Sequence, residues 1–127
     1  MGIYCRIELL SALDESERME FDAIVDTSAT WLTLPVAWRD KFPSLKPGRE
    51  ANFWRPEDKI TVGEVCGPFD IRIEGFRPSF GEVMFAELEP RNGKLTPLVG
   101  SLQLESSQAL LDRVNRKLYP LERYILK

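Results

Sequence analysis

The chain has 127 residues, of which 43% are hydrophobic and 29% charged, and its 17 basic and 20 acidic side chains leave a formal charge of −3. This length predicts one domain over 1–127 with a core of its own, and the balance excludes disorder, collagen-like repeats and coiled coil. Histidine is absent, which removes Ser-His-Asp and Cys-His catalysis, HExxH metal chemistry and imidazole zinc sites, and leaves carboxylates as the main source of chemistry.

Residues 3–10 alternate, with Ile3, Cys5, Ile7 and Leu9 on one face and Tyr4, Arg6, Glu8 and Leu10 on the other, the period of a half-buried strand. A polar turn at 14–18 leads into a second strand at 19–25, so the two predict a hairpin. After the break at Asp26-Thr27-Ser28-Ala29-Thr30 the β-formers Trp31-Leu32-Thr33-Leu34 follow. Pro35 is placed to open one or two helical turns through Lys41. The stretch 51–65 is extended and interrupted by the turn-like Arg55-Pro56-Glu57-Asp58-Lys59, which predicts a projecting hairpin. Further strands are predicted at 69–74 and 82–88, joined through Gly75, Pro78 and Gly81. Pro90, Asn92 and Gly93 punctuate the chain before the apolar pair Leu98-Val99. Many short strands between Pro and Gly turns point to an all-β barrel or sandwich. Propensity alone also allows one long helix over 102–118.

Charges of both signs are scattered, so nucleic acid is not an expected partner. No apolar run approaches the ~20 residues that span a bilayer, so no membrane partner is expected either. The charged N-terminal residues do not read as a secretory signal, and the expected location is cytoplasmic. Cys5 and Cys66 then read as free thiols on apolar strand faces.

The segment with most chemical content is Val25-Asp26-Thr27-Ser28-Ala29-Thr30, where an apolar strand delivers one carboxylate to a turn of small, hydroxyl-bearing residues. An Asp at a strand end commonly caps local amides, and that plain structural role stands beside any catalytic one. The segment also resembles the active-site loop of retropepsin-like aspartic proteases, two apolar residues followed by Asp-Thr-Gly-Ala. A second stretch lies downstream in the same order: Pro97-Leu98-Val99-Gly100-Ser101-Leu102-Gln103-Leu104-Glu105, then Leu110-Leu111-Asp112-Arg113-Val114-Asn115-Arg116-Lys117-Leu118-Tyr119-Pro120. It is similar to the family's apolar-apolar-Gly segment, its short C-terminal helix, and closing strands that in bacterial single-domain members often read Asp-x-x-Asn-Arg-x-Leu-x-Pro.

The resemblance implies a mainly β, retropepsin-like closed barrel with a flap hairpin and one short C-terminal helix at 101–107, followed by strands at 109–112 and 117–119. It implies that Asp26 is catalytic, that Thr27, Ser28 and Ala29 support the loop, and that Leu98, Val99 and Gly100 pack beneath it. One such loop supplies one carboxylate, so the activity implied, peptide-bond hydrolysis by an Asp dyad and a water, requires a homodimer with no metal or organic cofactor. Thr27 would then bridge the two loops. Phe53 and Trp54 would sit on the flap and face a peptide or protein substrate. Trp31 and Trp38 are expected in core or dimer packing, and Asp22, Asp40, Asp58, Asp70 and Asp112 in solvated or structural roles.

Two positions depart from the family pattern. Ser28 stands where Gly is usual, and the flap tip, with Arg55, Pro56 and Lys59, is charged and proline-stiffened. An alternative reading is therefore a catalytically impaired dimer of the same fold acting as a peptide-binding or assembly module. A third is an unrelated barrel in which Asp26 caps a turn.

Overall fold

The computed structural model describes residues 2–54 and 60–121, with the backbone alone at Phe53, Trp54, Ile60 and Thr61. Its elements run β1 (Tyr4–Ser11), β2 (Arg18–Val25), β3 (Leu32–Pro35), a 3-10 helix (Val36–Lys41), β4 (Arg49–Trp54), β5 (Ile60–Ile73), β6 (Ser79–Ala86), β7 (Leu98–Val99), α1 (Ser101–Ser106), β8 (Ala109–Asp112) and β9 (Lys117–Pro120). The chain is mainly β. Seven strands form one sheet in the order β1-β2-β7-β3-β6-β5-β4, and β1 also pairs with β5, so six of them close into a ring with β4 outside it. β8 and β9 make a separate two-stranded hairpin.

The ring follows from period-two burial. Antiparallel β1 and β2 set Ile7 opposite Phe21 and Cys5 opposite Ala23. β1 and β5 set Ile7 opposite Ile73 and Leu9 opposite Ile71. These side chains turn inward and meet Leu32, Leu34, Val83, Phe85 and Val99 in one core. Fully burying an aliphatic or aromatic side chain of this size contributes about 1.5–3 kcal/mol, whereas exposed ion pairs such as Arg6 with Glu20 contribute about 0–1 kcal/mol. The inward-facing alternation therefore fixes the register. Phe42, just past the 3-10 helix, closes one end of the core, with its ring edge-on to Phe69 at 5.1 Å. Trp38 lies against Phe21 at 5.4 Å, as core packing.

Two sequence expectations need correction. The strand expected at 69–74 is the second half of the 14-residue β5, which runs from Ile60 with a register shift between Cys66 and Phe69. Gly67-Pro68 lies between the stretches expected at 51–65 and 69–74, and the strand passes through it because β6 pairs with both halves. The strand expected at 82–88 begins earlier and ends sooner, Ser79–Ala86. Gly81 lies inside it, opposite Phe69, instead of in the preceding connection. The long C-terminal helix that propensity allows is not formed. α1 stops after Ser106, Gln108 takes a left-handed φ of 52°, and the β8–β9 hairpin follows. Within α1 the buried Gln103 amide donates to Ser79 Oγ and Ser107 Oγ, each at 2.9 Å.

Among the described residues no helix is long and apolar enough to cross a membrane.

Candidate active site

Asp26 ends the apolar run of β2, and its surroundings begin with backbone geometry. β7 pairs in parallel with β2, bringing Ile24 beside Leu98 and Val25 beside Val99. The pairing continues into the loop, where the Asp26 amide donates to the Val99 carbonyl at 3.0 Å. Immediately beyond, three consecutive amides point back at the loop: Gly100 N–H donates to Trp31 O at 3.2 Å, Ser101 N–H to Ala29 O at 2.9 Å and Leu102 N–H to Thr30 O at 2.9 Å. The first amides of a helix lack intrahelical partners. Here the loop carbonyls satisfy them, so the start of α1 and the chain leaving Asp26 hold each other in place. Only glycine fits at position 100, since a Cβ there would stand 2.5 Å from the Thr30 carbonyl carbon and oxygen. Ala29 is buried in a small cluster with Ile24 and Leu98, and Leu88 packs against it.

The loop is also tied internally. Asp26 O accepts the Ala29 amide at 3.0 Å. Asp26 Oδ1 accepts both the Ser28 amide at 3.0 Å and the Ser28 hydroxyl at 2.5 Å. This is an Asx-type turn, the local capping role expected of an Asp at a strand end. It engages one carboxylate oxygen. The other, Oδ2, lies 3.9 Å from Arg91 Nη2, an ion pair without a hydrogen bond, and the side chain keeps 27% of its surface exposed.

Ser28 does not require glycine's freedom. Among the described residues, the non-glycine ones with left-handed φ are Asn92, Gln108 and Arg116, and the hydroxyl of the exposed Ser28 donates to Asp26. Thr27 is also exposed, and its Oγ1 accepts a hydrogen bond from Arg113 Nη2 at 3.1 Å. Arg113 sits in the β8–β9 turn. That turn is built by Asp112, whose carboxylate accepts the Val114 and Asn115 amides at 3.0 Å and the Asn115 side-chain amide at 2.9 Å. These donors, the Asn115 amide foremost, hold the Asp112 carboxyl below the usual carboxylate range, so its role is structural.

Thus Asp26, Thr27, Ser28, Ala29, Leu98, Val99 and Gly100 form one contiguous unit. Phe53 and Trp54 end β4, paired with Thr61 and Ile60, but their side chains and the tip at 55–59 lie outside the described residues. Asp22 is an exposed member of β2 that meets Arg6 at 3.4 Å, and Asp70 is held by Arg72 at 2.8 Å, so neither is a partner for Asp26 within the chain. Both cysteines are free thiols. Burial foremost, assisted by Asp22 at Cys5 and by Glu64 at Cys66, pushes each thiol up to about 11, so both stay protonated and poorly nucleophilic near neutrality. Arg91 and Arg113 touch the loop and were not singled out from the sequence. The Asn92-Gly93 pair, a hairpin-turn signature that sets Arg91 at a turn shoulder, was the one available signal.

No protein-family model matches the sequence, and no curated protein matches it.

Proposed function

We propose that the chain is one half of an aspartic endopeptidase of the retropepsin-like type, completed by a second copy of itself. The observation that carries this reading is the junction of its two distant sequence signatures. Asp26 leaves β2 hydrogen-bonded to Val99, and the Gly100 backbone seats the same loop from below. The closed ring of six strands, the outlying β4–β5 hairpin and the short α1 are all compatible with the barrel, flap and helix of that fold.

A lone carboxylate cannot both take a proton from water and donate one to a substrate carbonyl. Two carboxylates facing each other can, because like charges a few Å apart share a proton. A two-fold axis past the exposed Thr27 supplies the second Asp26 with no further sequence. The paired Asp26 groups hold a water between them. One carboxylate takes its proton as it attacks the peptide carbonyl, and the protonated partner donates to the carbonyl oxygen. Thr27 supports the contact: Arg113 occupies one lone pair of its hydroxyl oxygen and leaves its hydrogen to donate across the axis.

A second reading, a peptide-binding or assembly dimer without turnover, draws support from the engagement of both Asp26 oxygens inside one chain, by Ser28 and by Arg91. Peptide-library cleavage from about pH 4 to 7, with solution mass measured in parallel, separates the two. The expected result is a dimer whose cleavage falls on the order of 10³-fold or more in Asp26→Asn. Equal cleavage by wild type and variant, or a monomer at every concentration, overturns the protease reading. A dimer that binds peptides and cuts none supports the second.

A further inference from the structure

Resting on the reading of Asp26 as a catalytic carboxylate, we infer that the tight turn at 91–94 selects a substrate with a carboxylate side chain next to the scissile bond. Asn92 and Gly93 have φ of 51° and 76°, two successive left-handed residues of the kind that make a two-residue hairpin turn. Arg91 and Lys94 close it, each amide donating to the other's carbonyl, at 2.7 Å and 2.9 Å. Residues directly opposite in such a pair share a face. Two cations therefore stand side by side on the turn, an arrangement unfavourable in itself that an anion offsets.

Asp26 offsets it in part. Arg91 Nη2 lies 3.9 Å from Asp26 Oδ2, and the guanidinium side chain is 52% exposed. That separation is too long for a hydrogen bond. Exposed pairs of this kind contribute little, so Arg91 exchanges Asp26 for an incoming carboxylate at small loss. Its planar fork of donors matches a carboxylate with two hydrogen bonds, which the long contact to Asp26 does not use. Because the guanidinium already reaches the carboxylate that activates water, it also reaches the residue flanking the bond under attack. The formal charge of −3 opposes an acidic ligand at long range, so the selection is a contact effect.

Matched peptides differing only by Glu or Gln beside the cleaved bond test the inference between about pH 5 and 7. Both kcat/KM and the binding of fluorescein-labelled forms are read, the latter by anisotropy on Asp26→Asn. The Glu peptide is expected to be favoured about tenfold, the preference to approach one in Arg91→Gln, and to invert in Arg91→Glu. Lys94→Gln is expected to reduce it by a smaller factor. Cleavage with no Glu preference, or with a preference that Arg91→Gln leaves in place, overturns the inference and leaves hydrolysis standing. Selective binding of the Glu peptide, lost in Arg91→Gln but with neither peptide cut, supports the acidic ligand and removes the protease. Equal binding of the two peptides without cleavage overturns both.

Discussion

The carbonyl oxygen of Thr30 lies 2.5 Å from the point where a Cβ atom on Gly100 would stand, with the Trp31 carbonyl oxygen 2.6 Å from the same point. These obstacles are backbone atoms, fixed by the amides of Gly100 and Leu102 that donate to them. They cannot turn aside as a flexible side chain would. Gly100→Ala must therefore push the loop carrying Asp26 away from α1, at a cost of about 2 kcal/mol or more. We expect the Tm to fall by roughly 5–10 °C. Gly81→Ala is the control, because a Cβ there meets nothing within 4 Å. Equal melting temperatures for the two variants would show that the Gly100 seat is not tight.

The parts of this architecture that were legible in the sequence are those governed by local alternation. Ile7, Leu9, Leu32 and Leu34 declare their strands because each lies between polar or opposite-facing neighbours, and all four are fully buried. The loop at Asp26 was legible for the same reason, being a small polar interruption between two apolar runs. What local pattern could not supply is continuity and neighbourhood. Gly67-Pro68 carries every sign of a turn, yet tertiary pairing of both flanks with β6 keeps β5 one strand. Phe80 is 72% exposed, so β6 starts on a residue pair whose outward aromatic hides the alternation. Arg113 reaches Thr27 across 86 positions of sequence, because a hairpin folds back from α1, and no spacing rule connects them.

Acid lability should centre on Glu64. Its Oε2 accepts the Gly48 amide at 2.8 Å and its Oε1 accepts Arg39 Nε at 3.1 Å. Arg39 in turn donates to the carbonyls of Phe42, Leu45 and Lys46 at 3.0, 3.2 and 3.2 Å, so the clasp fastens the segment after the 3-10 helix to β5. The Gly48 amide, foremost, holds the Glu64 carboxyl below its ordinary value, with help from Cys66 and Arg39 against an opposing desolvation. A folded-state value below the unfolded one, about 4.3, contributes stability at higher pH that is lost as pH falls through the folded value. Glu8 and Glu82 are shifted in the same direction by Arg18 and Arg49. With its side chain 35% exposed, Glu64 is expected to contribute about 1 kcal/mol at pH 7. Urea unfolding of Glu64→Gln against wild type should show that gap at pH 7 and its closure as pH falls through the folded-state value. A gap of constant size across the range would assign the effect to shape instead of charge.

Arg113 and Thr27 give the proposed dimer its most specific prediction. Thr27 is exposed, and Arg113 donates to its hydroxyl oxygen at 3.1 Å. In the proposed two-fold contact this bond points the hydroxyl hydrogen toward the partner loop. Without it the hydroxyl rotates freely, and forming the contact must order it first. Arg113→Ala is therefore expected to weaken dimerisation about three- to tenfold, the range of one modest hydrogen bond. The Tm of the dissociated chain should barely change, since the bond lies at an exposed site. Thr27→Val removes the hydroxyl itself and should weaken dimerisation more, while Thr27→Ser should retain most of it. Sedimentation velocity over a concentration series reads all three. Dimerisation that is weakened by Thr27→Val but not by Arg113→Ala would remove Arg113 as a positioning residue, and insensitivity to both would move the two-fold contact away from the Asp26 loop.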